Sequence, residues 1–535
     1  MTDLNTMLEQ GRQKEIWTKY LGFLDLRIDE FMEIQERLLL EQISVLGNSM
    51  MGRMLMGDKI PKTVEEFRKN VPLTTYQDYH ELLDKKRTDV LPREPVAWAH
   101  TSGRSGTFRW KWAPYSQKMY DRLGESVTGS MILASCSKKG EVLLQPYDTV
   151  LLATAPTPYV SGEITKSANE QMKLRFLPSL EEGDHMGFRE RVQSGFKLAM
   201  VEGLDFFYGL ASILVGIGEQ FEKGSGSVKI TAKMLRPDVL WRLLKGFVTA
   251  KLKGGKVLPK DIWKLKGIMT GGVDASIYKK QIEYYWGRKP LEGYACTEGG
   301  SLCMQAWNYK GMTFFPENDF LEFIPHEEHK KNKENPDYQP KTVLYNELET
   351  GIYELVFTNF HGGIFTRYRI GDLFEVISLR DDELDIDLPQ VVFYSRDSDI
   401  INLAGFALIT EKDIWKALEK TDLDYYEWVA RKEIKDNKTY LRLFIELKSV
   451  TDLDTKKVEK QISTALREIN SDYDDLEKML GYTALTISML NPGAFGMYMD
   501  YQQSQGADLA HTKPPHMKPT QDQMKKLLGE KKVKG

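Results

Sequence analysis

Three short segments, far apart in the 535-residue chain, contain residue types that can bind phosphates, a metal ion and a sugar. They are Thr101–Gly106, Tyr294–Gly300 and Tyr368–Asp372. Each segment alone is a weak indication, because glycine-containing segments of this length are common in ordinary turns. A phosphate cradle, a metal-binding carboxylate and a ribose-binding acid together predict a nucleotide site.

The first segment has the composition of a phosphate-binding loop. Gly103 and Gly106 let the backbone turn sharply and direct its N–H groups toward an anion, and Ser102 and Ser105 add hydroxyl donors. The nearby positive charges are Arg104, Arg109 and Lys111. No Gly-Lys-Ser/Thr sequence follows, so this is not a Walker loop. Taken alone, the segment is also typical of a surface hairpin turn.

The second segment combines an aromatic ring, a hydroxyl and a carboxylate. Tyr294 could cover an adenine face, Thr297 offers a hydroxyl, and Glu298 is a suitable ligand for Mg²⁺, which takes one or two protein carboxylates beside phosphates. The alternative is a strand end followed by a glycine turn. Cys296 has no neighbouring base or metal ligand in the sequence and is predicted to be a packed small residue.

The third segment ends in Gly371-Asp372, and the aspartate could accept hydrogen bonds from both ribose hydroxyls. Its alternative is an ordinary turn. Farther along, Arg396 could bridge ribose and phosphate, or it could form a surface salt bridge with Asp397 or Asp399.

Two other kinds of site are excluded by the sequence. The run His326–His329 has the wrong order for a helix-borne zinc site and lies among charged residues, which favours a solvated loop. There is also no Gly-x-Ser-x-Gly segment of the type that carries a nucleophilic serine.

The composition is that of a folded soluble protein, with 41% hydrophobic and 28% charged residues. A net charge of -4 does not suggest the basic face that nucleic-acid binding needs. Three cysteines are too few for a disulfide framework, which favours a reducing compartment.

The apolar stretch Phe206–Gly218 is shorter than the roughly 18 residues that predict a membrane span, so we predict a buried helix there. With no signal or transit peptide apparent, the expected location is the cytoplasm, with neither nucleic acid nor a membrane as partner.

The larger, N-terminal part of the chain has the pattern of an α/β domain. Residues 1–60 show helical periodicity, and Thr63 with Glu66 predicts a capped helix. Buried strands with helical segments between them are predicted at Thr149–Thr154, Gly267–Thr270, Leu321–Ile324 and Tyr353–Phe357.

The C-terminal part has a different pattern, which predicts a small α+β domain. The predicted order is helix, strand, strand, helix, strand, at 411–420, Glu427–Lys432, Thr439–Leu447, Thr455–Ile469 and Thr483–Leu490. We therefore predict an N-terminal domain over 1–395 and a C-terminal domain over 396–535.

With these elements, the three segments resemble the motifs of enzymes that activate a carboxylate with ATP. More specifically, the chain resembles the Gretchen Hagen (auxin-responsive) acyl-acid amido synthetases, a branch of the adenylate-forming enzymes. The further segments that carry the resemblance are Val71–Tyr79, Thr270–Gly272, Pro492–Phe495 and Lys513–Pro515. The likeness covers about residues 60–520.

The resemblance implies a large N-terminal adenylation domain, a smaller mobile C-terminal domain that swings near Ser398, and the use of ATP with Mg²⁺. The residues implied for each role are Ser102, Gly103, Ser105 and Gly106 for the phosphates, Tyr294, Thr297 and Glu298 for adenine, α-phosphate and metal, Asp372 and Arg396 for the ribose, and Lys513 for catalysis at the α-phosphate. Arg104 stands where the family usually has Ser or Thr, and Arg109 near its usual lysine, and a planar guanidinium changes the geometry of phosphate contacts.

The implied reaction joins a small carboxylic acid to an amine, with an amino acid as the expected amine. Two alternatives stay open: an acyl-CoA ligase with the same first step, and a nucleotide-binding scaffold without turnover. The acyl pocket is expected around Phe206, Phe207, Tyr208 and Leu210, although plain core packing explains most of these side chains better.

Overall fold

The structure is a computed structural model of the chain. It describes residues 3–57, 59–101, 108, 110–223, 236–252, 255–271, 274–403, 407–435, 438–449, 454–480, 482–507 and 512–529. The predicted phosphate loop, with Ser102, Gly103, Ser105 and Gly106, lies outside the described residues, as do Arg104 and Arg109. The chain divides into two compact units, residues 1–370 with 374–394, and residues 371–373 with 395–535.

The first unit begins with helices, as the apolar periodicity predicts. They are α1 (Leu4–Glu9), α2 (Gln13–Leu21), α3 (Ile28–Gly47), α4 (Met50–Met56) and α5 (Val64–Asn70). The Thr63 side chain accepts a hydrogen bond from the backbone N–H of Glu66 at 3.1 Å, which confirms the predicted cap of α5.

The centre of the first unit is one large sheet. Two strands that precede it in the chain, β1 (Pro95–His100) and β2 (Trp112–Ser116), form a separate pair. The strands of the large sheet are, in chain order, β3 (Thr149–Ala153), β4 (Arg175–Leu177), β5 (Phe206–Gly209), β6 (Gly267–Gly271), β7 (Leu291–Cys296), β8 (Gly300–Gln305), β9 (Met312–Phe314), β10 (Asp319–Pro325), β11 (Val343–Leu344), β12 (Gly351–Asn359), β13 (Tyr368–Ser378) and β14 (Gln390–Arg396). Within the described residues the sheet has the order β11-β10-β12-β13-β14-β9-β8-β7-β6-β5-β3-β4.

Strands β4, β3, β5, β6 and β7 are parallel neighbours, whereas β7–β8, β8–β9 and β10–β12 are antiparallel. Parallel strands need crossover connections, and helices supply them. The remaining helices of this unit are α6 (His80–Asp84), α7 (Gln117–Ser135), α8 (Val160–Gln171), α9 (Leu180–Asp184), α10 (Phe188–Glu202), α11 (Ala211–Glu222), α12 (Pro237–Leu252), α13 (Pro259–Ile262), α14 (Asp274–Trp286) and α15 (His326–Glu334). Short 3₁₀ helices occur at Gly22–Asp25, Tyr76–Asp78, Thr88–Val90, Tyr345–Glu347 and Asp397–Asp399.

The buried helix predicted over Phe206–Gly218 is wrong in its first part. Phe206–Gly209 is β5, and the helix α11 begins only at Ala211. Phe206 and Phe207 are both fully buried, because they point to opposite faces of the sheet and each packs into its own hydrophobic core. A strand buried on both faces has a continuous apolar sequence, which periodicity alone does not distinguish from a buried helix.

The prediction of a solvated loop at His326–His329 is also wrong. These residues begin α15, and His329 is only 4% exposed. His329 Nδ1 lies 2.5 Å from a carboxylate oxygen of Glu354 on β12, a partner that the local charged sequence does not reveal.

The second unit is a small α+β domain. Its elements are β15 (Ile401–Leu403), β16 (Ala407–Ile409), α16 (Glu411–Glu419), β17 (Tyr425–Lys435), β18 (Lys438–Leu447), α17 (Thr455–Ile469), α18 (Ser471–Leu480), β19 (Leu485–Met489), α19 (Ala494–Ser504) and α20 (Gln521–Leu527). Strand β18 pairs antiparallel with β17 and parallel with β19. The predicted order of helix, strand, strand, helix, strand is confirmed, and β15, β16, α18, α19 and α20 are additional.

The predicted fold class, a large N-terminal α/β domain with a smaller C-terminal α+β domain, is therefore confirmed. Among the described residues, no helix is both long enough and apolar enough to cross a bilayer.

Candidate active site

The β1–β2 hairpin fixes both ends of the predicted phosphate loop. The two strands are antiparallel, and the backbone N–H of Thr101 donates to the carbonyl of Lys111 at 3.1 Å. The backbone N–H of Trp112 donates to the hydroxyl of Tyr76 at 2.5 Å, which ties the second strand to the segment before the hairpin. The chain on either side of the loop is thus held by hydrogen bonds.

The second segment forms the turn of the β7–β8 hairpin. Residues 297–299 make the turn, and Gly300, which follows, has a φ of +70°, a conformation that glycine adopts without strain. The carbonyl of Thr297 accepts a hydrogen bond from the Tyr115 hydroxyl at 2.8 Å. The carbonyl of Glu298 accepts one from the Asn359 side chain at 3.0 Å. Buried partners on β2 and β12 therefore fix this turn.

The Glu298 carboxylate contacts one residue that follows the first segment and one residue of the third. It is 2% exposed, and its Oε1 accepts a hydrogen bond from the Tyr368 hydroxyl at 2.8 Å. The Lys111 ammonium lies 3.8 Å from the same oxygen and 5.4 Å from the centre of the Tyr76 ring. Lys111 adjoins the first segment and Tyr368 begins the third, so both meet the carboxylate of the second.

Electrostatics keeps the Tyr368 hydroxyl protonated. Burial, and next the negative charge of Glu298, raise the pKa of Tyr368 well above its ordinary value. A protonated phenol is a donor, so its hydrogen bond orients the Glu298 carboxylate.

Tyr294 is half-buried among aromatic rings. Its ring lies edge-on to Phe374, with 4.8 Å between centroids, and nearly parallel to Phe393 at 6.0 Å. Cys296 is buried and its sulfur accepts a hydrogen bond from the N–H of Gly299 at 3.2 Å, which confirms its prediction as a packed residue.

Arg369, in the third segment, has a structural partner. It forms two hydrogen bonds with Glu354, at 2.9 and 2.7 Å, and Glu354 also contacts His329. Burial raises the pKa of Glu354, but His329 and Arg369 outweigh this and lower it. This buried network holds β13 against β12 and α15.

In the second unit, Asp372 and Arg396 form an ion pair. The guanidinium Nε lies 3.2 Å from a carboxylate oxygen of Asp372, which is 2% exposed. The structure pairs Arg396 with this aspartate, a contact that the sequence alternatives Asp397 and Asp399 did not include. The two residues proposed to hold a ribose are thus adjacent within one unit.

Lys513 is described and half-buried in the second unit, in the segment that precedes α20. Tyr115 and Asn359 are the site residues that sequence reasoning missed, because their contacts span 182 and 61 residues along the chain. A buried tyrosine hydroxyl on β2 must find a partner, but the sequence does not say which one.

Three family models match the chain. The GH3 family N-terminal domain matches residues 21–177, the central domain 312–396 and the C-terminal domain 411–522, together about two thirds of the chain.

The curated relatives are distant in sequence. A protein of Arabidopsis thaliana described as 4-substituted benzoates-glutamate ligase GH3.12 is 22% identical over 90% of this chain and 92% of its own. A probable indole-3-acetic acid-amido synthetase GH3.7 of Oryza sativa subsp. japonica is 25% identical, over 61% of this chain and 57% of the rice protein.

The similar solved structures agree in fold. AtGH3.15 acyl acid amido synthetase in complex with 2,4-DB has a TM-score of 0.68 at 18% identity, over 97% of this chain and 96% of that chain. A 2-hydroxyisobutyryl-CoA ligase in its postadenylation state has a TM-score of 0.56 at 14% identity, over 86% and 85%. The family models, the curated relatives and the fold all agree with the resemblance inferred from the three segments: this chain belongs to the GH3 family.

Proposed function

We propose that this protein is an ATP-dependent acyl-acid amido synthetase that adenylates a carboxylic acid and transfers the acyl group to an amine. Membership of the GH3 family supports the reaction class. The single observation in the structure that carries the proposal is the meeting of Lys111 and Tyr368 at the Glu298 carboxylate.

In the first half-reaction, the substrate carboxylate attacks the α-phosphorus of ATP, and pyrophosphate leaves. Negative charge builds on the phosphate oxygens, so the protein acts mainly by positioning the reactants and by electrostatic stabilisation. We assign Ser102, Gly103, Ser105 and Gly106 to the phosphates, with Lys111 at the end of that loop. Lys513 would supply a second positive charge at the α-phosphate.

Glu298 is the proposed ligand for Mg²⁺. The donor set fits this ion, because Mg²⁺ commonly uses one protein carboxylate and completes its octahedron with water and phosphate oxygens. Oε1 is engaged by Tyr368, and among the described residues no hydrogen bond is made to Oε2. When bound, Mg²⁺ would neutralise charge on the phosphates.

Tyr294, Thr297, Asp372 and Arg396 are the proposed contacts for the rest of the nucleotide. The Tyr294 ring would cover adenine, and Thr297 would approach the α-phosphate. Asp372 would accept hydrogen bonds from the ribose hydroxyls, while Arg396 would stay paired with the Asp372 carboxylate. Their ion pair at 3.2 Å supports this, because it orients the acid before the ribose binds.

In the second half-reaction, an amine attacks the acyl carbonyl and AMP leaves. The relatives named for amido synthesis and for joining benzoates to glutamate support an amino acid as the amine. We propose that the C-terminal domain, 396–535, moves between the two half-reactions and that closure excludes water from the reactive anhydride.

A thiol acceptor is the second candidate, because the fold also resembles that of a CoA ligase. We propose a cytoplasmic location, which the three buried cysteines support, because none of them is in a disulfide bond. Small-molecule acids and amines are the proposed partners, and neither nucleic acid nor a membrane is expected.

The test is pyrophosphate release from ATP and Mg²⁺ with a pool of carboxylic acids, with hydroxylamine present to trap the acyl-adenylate. The acid that gives a signal is then supplied with the twenty amino acids or with coenzyme A, and the products are identified by mass spectrometry. An amide supports the proposal. A thioester without amides establishes the CoA ligase, and ATP binding without pyrophosphate release establishes a scaffold.

A further inference from the structure

The segment that carries Lys513 is fixed to the body of the second unit only a few residues farther on. The backbone N–H of Ala430 on β17 donates to the carbonyl of His516 at 2.6 Å, and the N–H of Lys518 donates back to the carbonyl of Ala430 at 2.9 Å. Met517 thus forms a parallel bridge with Ala430. The segment adds a short, strand-like contact to the edge of β17.

Two prolines connect Lys513 to this contact. Pro514 and Pro515 have fixed φ angles, and the residue before a proline is restricted to extended conformations. The N–H of His516 also donates to the carbonyl of Pro514 at 2.9 Å. Any displacement of His516 is therefore transmitted to Lys513 through a stiff connection.

His516 is held by two carboxylates. Its Nδ1 lies 2.5 Å from Glu411 at the start of α16, and its Nε2 lies 2.7 Å from Glu427 on β17. The ring stacks on Trp428, with 4.6 Å between centroids and 15° between planes, and Trp415 meets it edge-on at 5.3 Å. The side chain is 7% exposed.

The geometry requires a charged imidazole. Both ring nitrogens face acceptors, and only the imidazolium form has two N–H donors. Burial opposes this charge, but Glu427 and Glu411 outweigh it and raise the pKa of His516 to about 10. The imidazole is therefore charged at neutral pH.

Plain stabilisation is a poor explanation for such a clamp. Buried ion pairs contribute little net stability compared with apolar packing, because desolvation offsets the attraction, and their better attested role is to specify one arrangement. Here they specify the register of the segment against α16 and β17.

We propose that His516, clamped between Glu411 and Glu427, is a positioning residue that fixes the Lys513 segment for the adenylation step. The proposal rests on the proposed function, which gives Lys513 its role at the α-phosphate. It predicts that loss of the clamp impairs adenylation and spares acyl transfer, because the proposed function gives that lysine a role in adenylation alone.

The test compares His516→Gln with two other variants. Lys513→Ala removes the positioned group. Glu477→Gln is the matched control, because Glu477 is a similarly shielded carboxylate of the second unit whose partners are Ser463, Tyr473, Ala484 and Arg467. Each variant is assayed for ATP–pyrophosphate exchange and, separately, for transfer from a synthetic acyl-adenylate to the amine. Hydrogen exchange of the peptide over 512–520 is measured by mass spectrometry.

We expect His516→Gln to lower the rate of ATP–pyrophosphate exchange about 100-fold, because misplacement of a catalytic group by an ångström can have an effect of that size. The rate of acyl transfer should stay within about twofold of the wild-type rate. Lys513→Ala should behave in the same way, and Glu477→Gln should retain both activities. Amides of 512–520 should lose protection in His516→Gln but not in Glu477→Gln.

If His516→Gln kept normal ATP–pyrophosphate exchange while Lys513→Ala lost it, the positioning role of His516 would be overturned and the proposed function would stand. Normal exchange in Lys513→Ala would instead overturn the role given to Lys513 by the proposed function. Unchanged protection of 512–520 in His516→Gln would contradict the clamp whether or not the protein adenylates the acid supplied.

Discussion

Glu298 illustrates how much of a site depends on groups that do no chemistry themselves. Its carboxylate is oriented by Tyr368 and faces Lys111, and its backbone carbonyl is held by Asn359. The sequence indicates a carboxylate at this position, but it does not show which donors hold it, because all three lie on other elements. Residue types could therefore be predicted here, and orientation could not.

Tyr368→Phe tests the role of the phenol. The variant removes the hydrogen bond at 2.8 Å and leaves the ring packing intact. Groups that orient a metal ligand typically contribute about 10–100-fold to activity or metal affinity. We expect a loss of that size in ATP–pyrophosphate exchange, with more Mg²⁺ needed for half-maximal rate.

Tyr345→Phe is the matched control, because its hydroxyl also makes a buried hydrogen bond of 2.8 Å, to the carbonyl of Pro389. Both variants should lose about 1 kcal/mol in free energy of unfolding. An equal effect of the two on exchange would contradict the orienting role of Tyr368.

Arg396→Gln tests the ribose assignment. Arg396 is 43% exposed but its partner Asp372 is only 2% exposed, so the variant leaves a buried carboxylate without this partner and the melting temperature should fall. Loss of a hydrogen bond to a charged group costs about 1.5–3 kcal/mol, which predicts a KM for ATP at least about tenfold higher. Arg380→Gln, which removes a comparable arginine paired with Asp382, should leave KM unchanged. The same KM in both variants would exclude Arg396 from the nucleotide site.

At the scale of elements, two hairpins present the site. β1–β2 fixes the ends of the predicted phosphate loop, and β7–β8 carries Glu298 in its turn. Strands with alternating or continuous apolar residues and capped helices were predictable, as Thr149–Ala153 and α5 show. The run Phe206–Gly209 was not, because it leads directly into the apolar helix α11, without the prolines that end the short run after Thr149–Ala153. His329 was missed because its partner Glu354 is distant in sequence.

Gly300→Ala tests the turn that positions Glu298. At a φ of +70° a side chain is strained by about 1–2 kcal/mol, so the free energy of unfolding should fall by that amount. The rate of ATP–pyrophosphate exchange should fall as well, because relief of the strain would move the turn and displace Glu298. Calorimetry and the exchange assay check both expectations.

Gly216→Ala on α11 is the control, since an added Cβ there meets no atom within 4 Å. A helix interior favours alanine by about 0.5–1 kcal/mol, so this variant should be neutral or more stable. A Gly300→Ala protein as stable and active as Gly216→Ala would show that the turn does not constrain Glu298.

At the scale of the whole molecule, each of the two units contains a buried histidine with a shifted pKa, and the two pKa shifts have opposite directions. Burial, and then the nearby charges of Lys118 and Arg122, lower the pKa of His361 in the first unit to about 4, although the Glu317 carbonyl and Glu41 oppose this. In the second unit, burial is outweighed by Glu427 and Glu411, which raise the pKa of His516 to about 10. The ordinary value is about 6.5.

These shifts predict opposite responses to pH. The stability contributed by His516 is complete below pH 6.5 and is lost as the pH rises from 6.5 through 10. The contribution of His361 is complete above pH 6.5 and is lost as the pH falls from 6.5 through 4. Calorimetry from pH 4 to 10 should show that the stability advantage of the wild type over His516→Gln shrinks toward alkaline pH. Its advantage over His361→Asn should shrink toward acid pH. Parallel pH profiles for the wild type and both variants would contradict both assignments.

The central claim is that Glu298, oriented by Tyr368 and facing Lys111, is an essential residue of an adenylating site. ATP–pyrophosphate exchange that depends on a carboxylic acid, measured for the wild type and for Glu298→Gln in the presence of Mg²⁺, tests it most directly. We predict acid-dependent exchange in the wild type, and its loss in a Glu298→Gln protein with an unchanged circular dichroism spectrum. Equal exchange in the two proteins would contradict the claim, as would no exchange with any acid in a wild type that binds ATP.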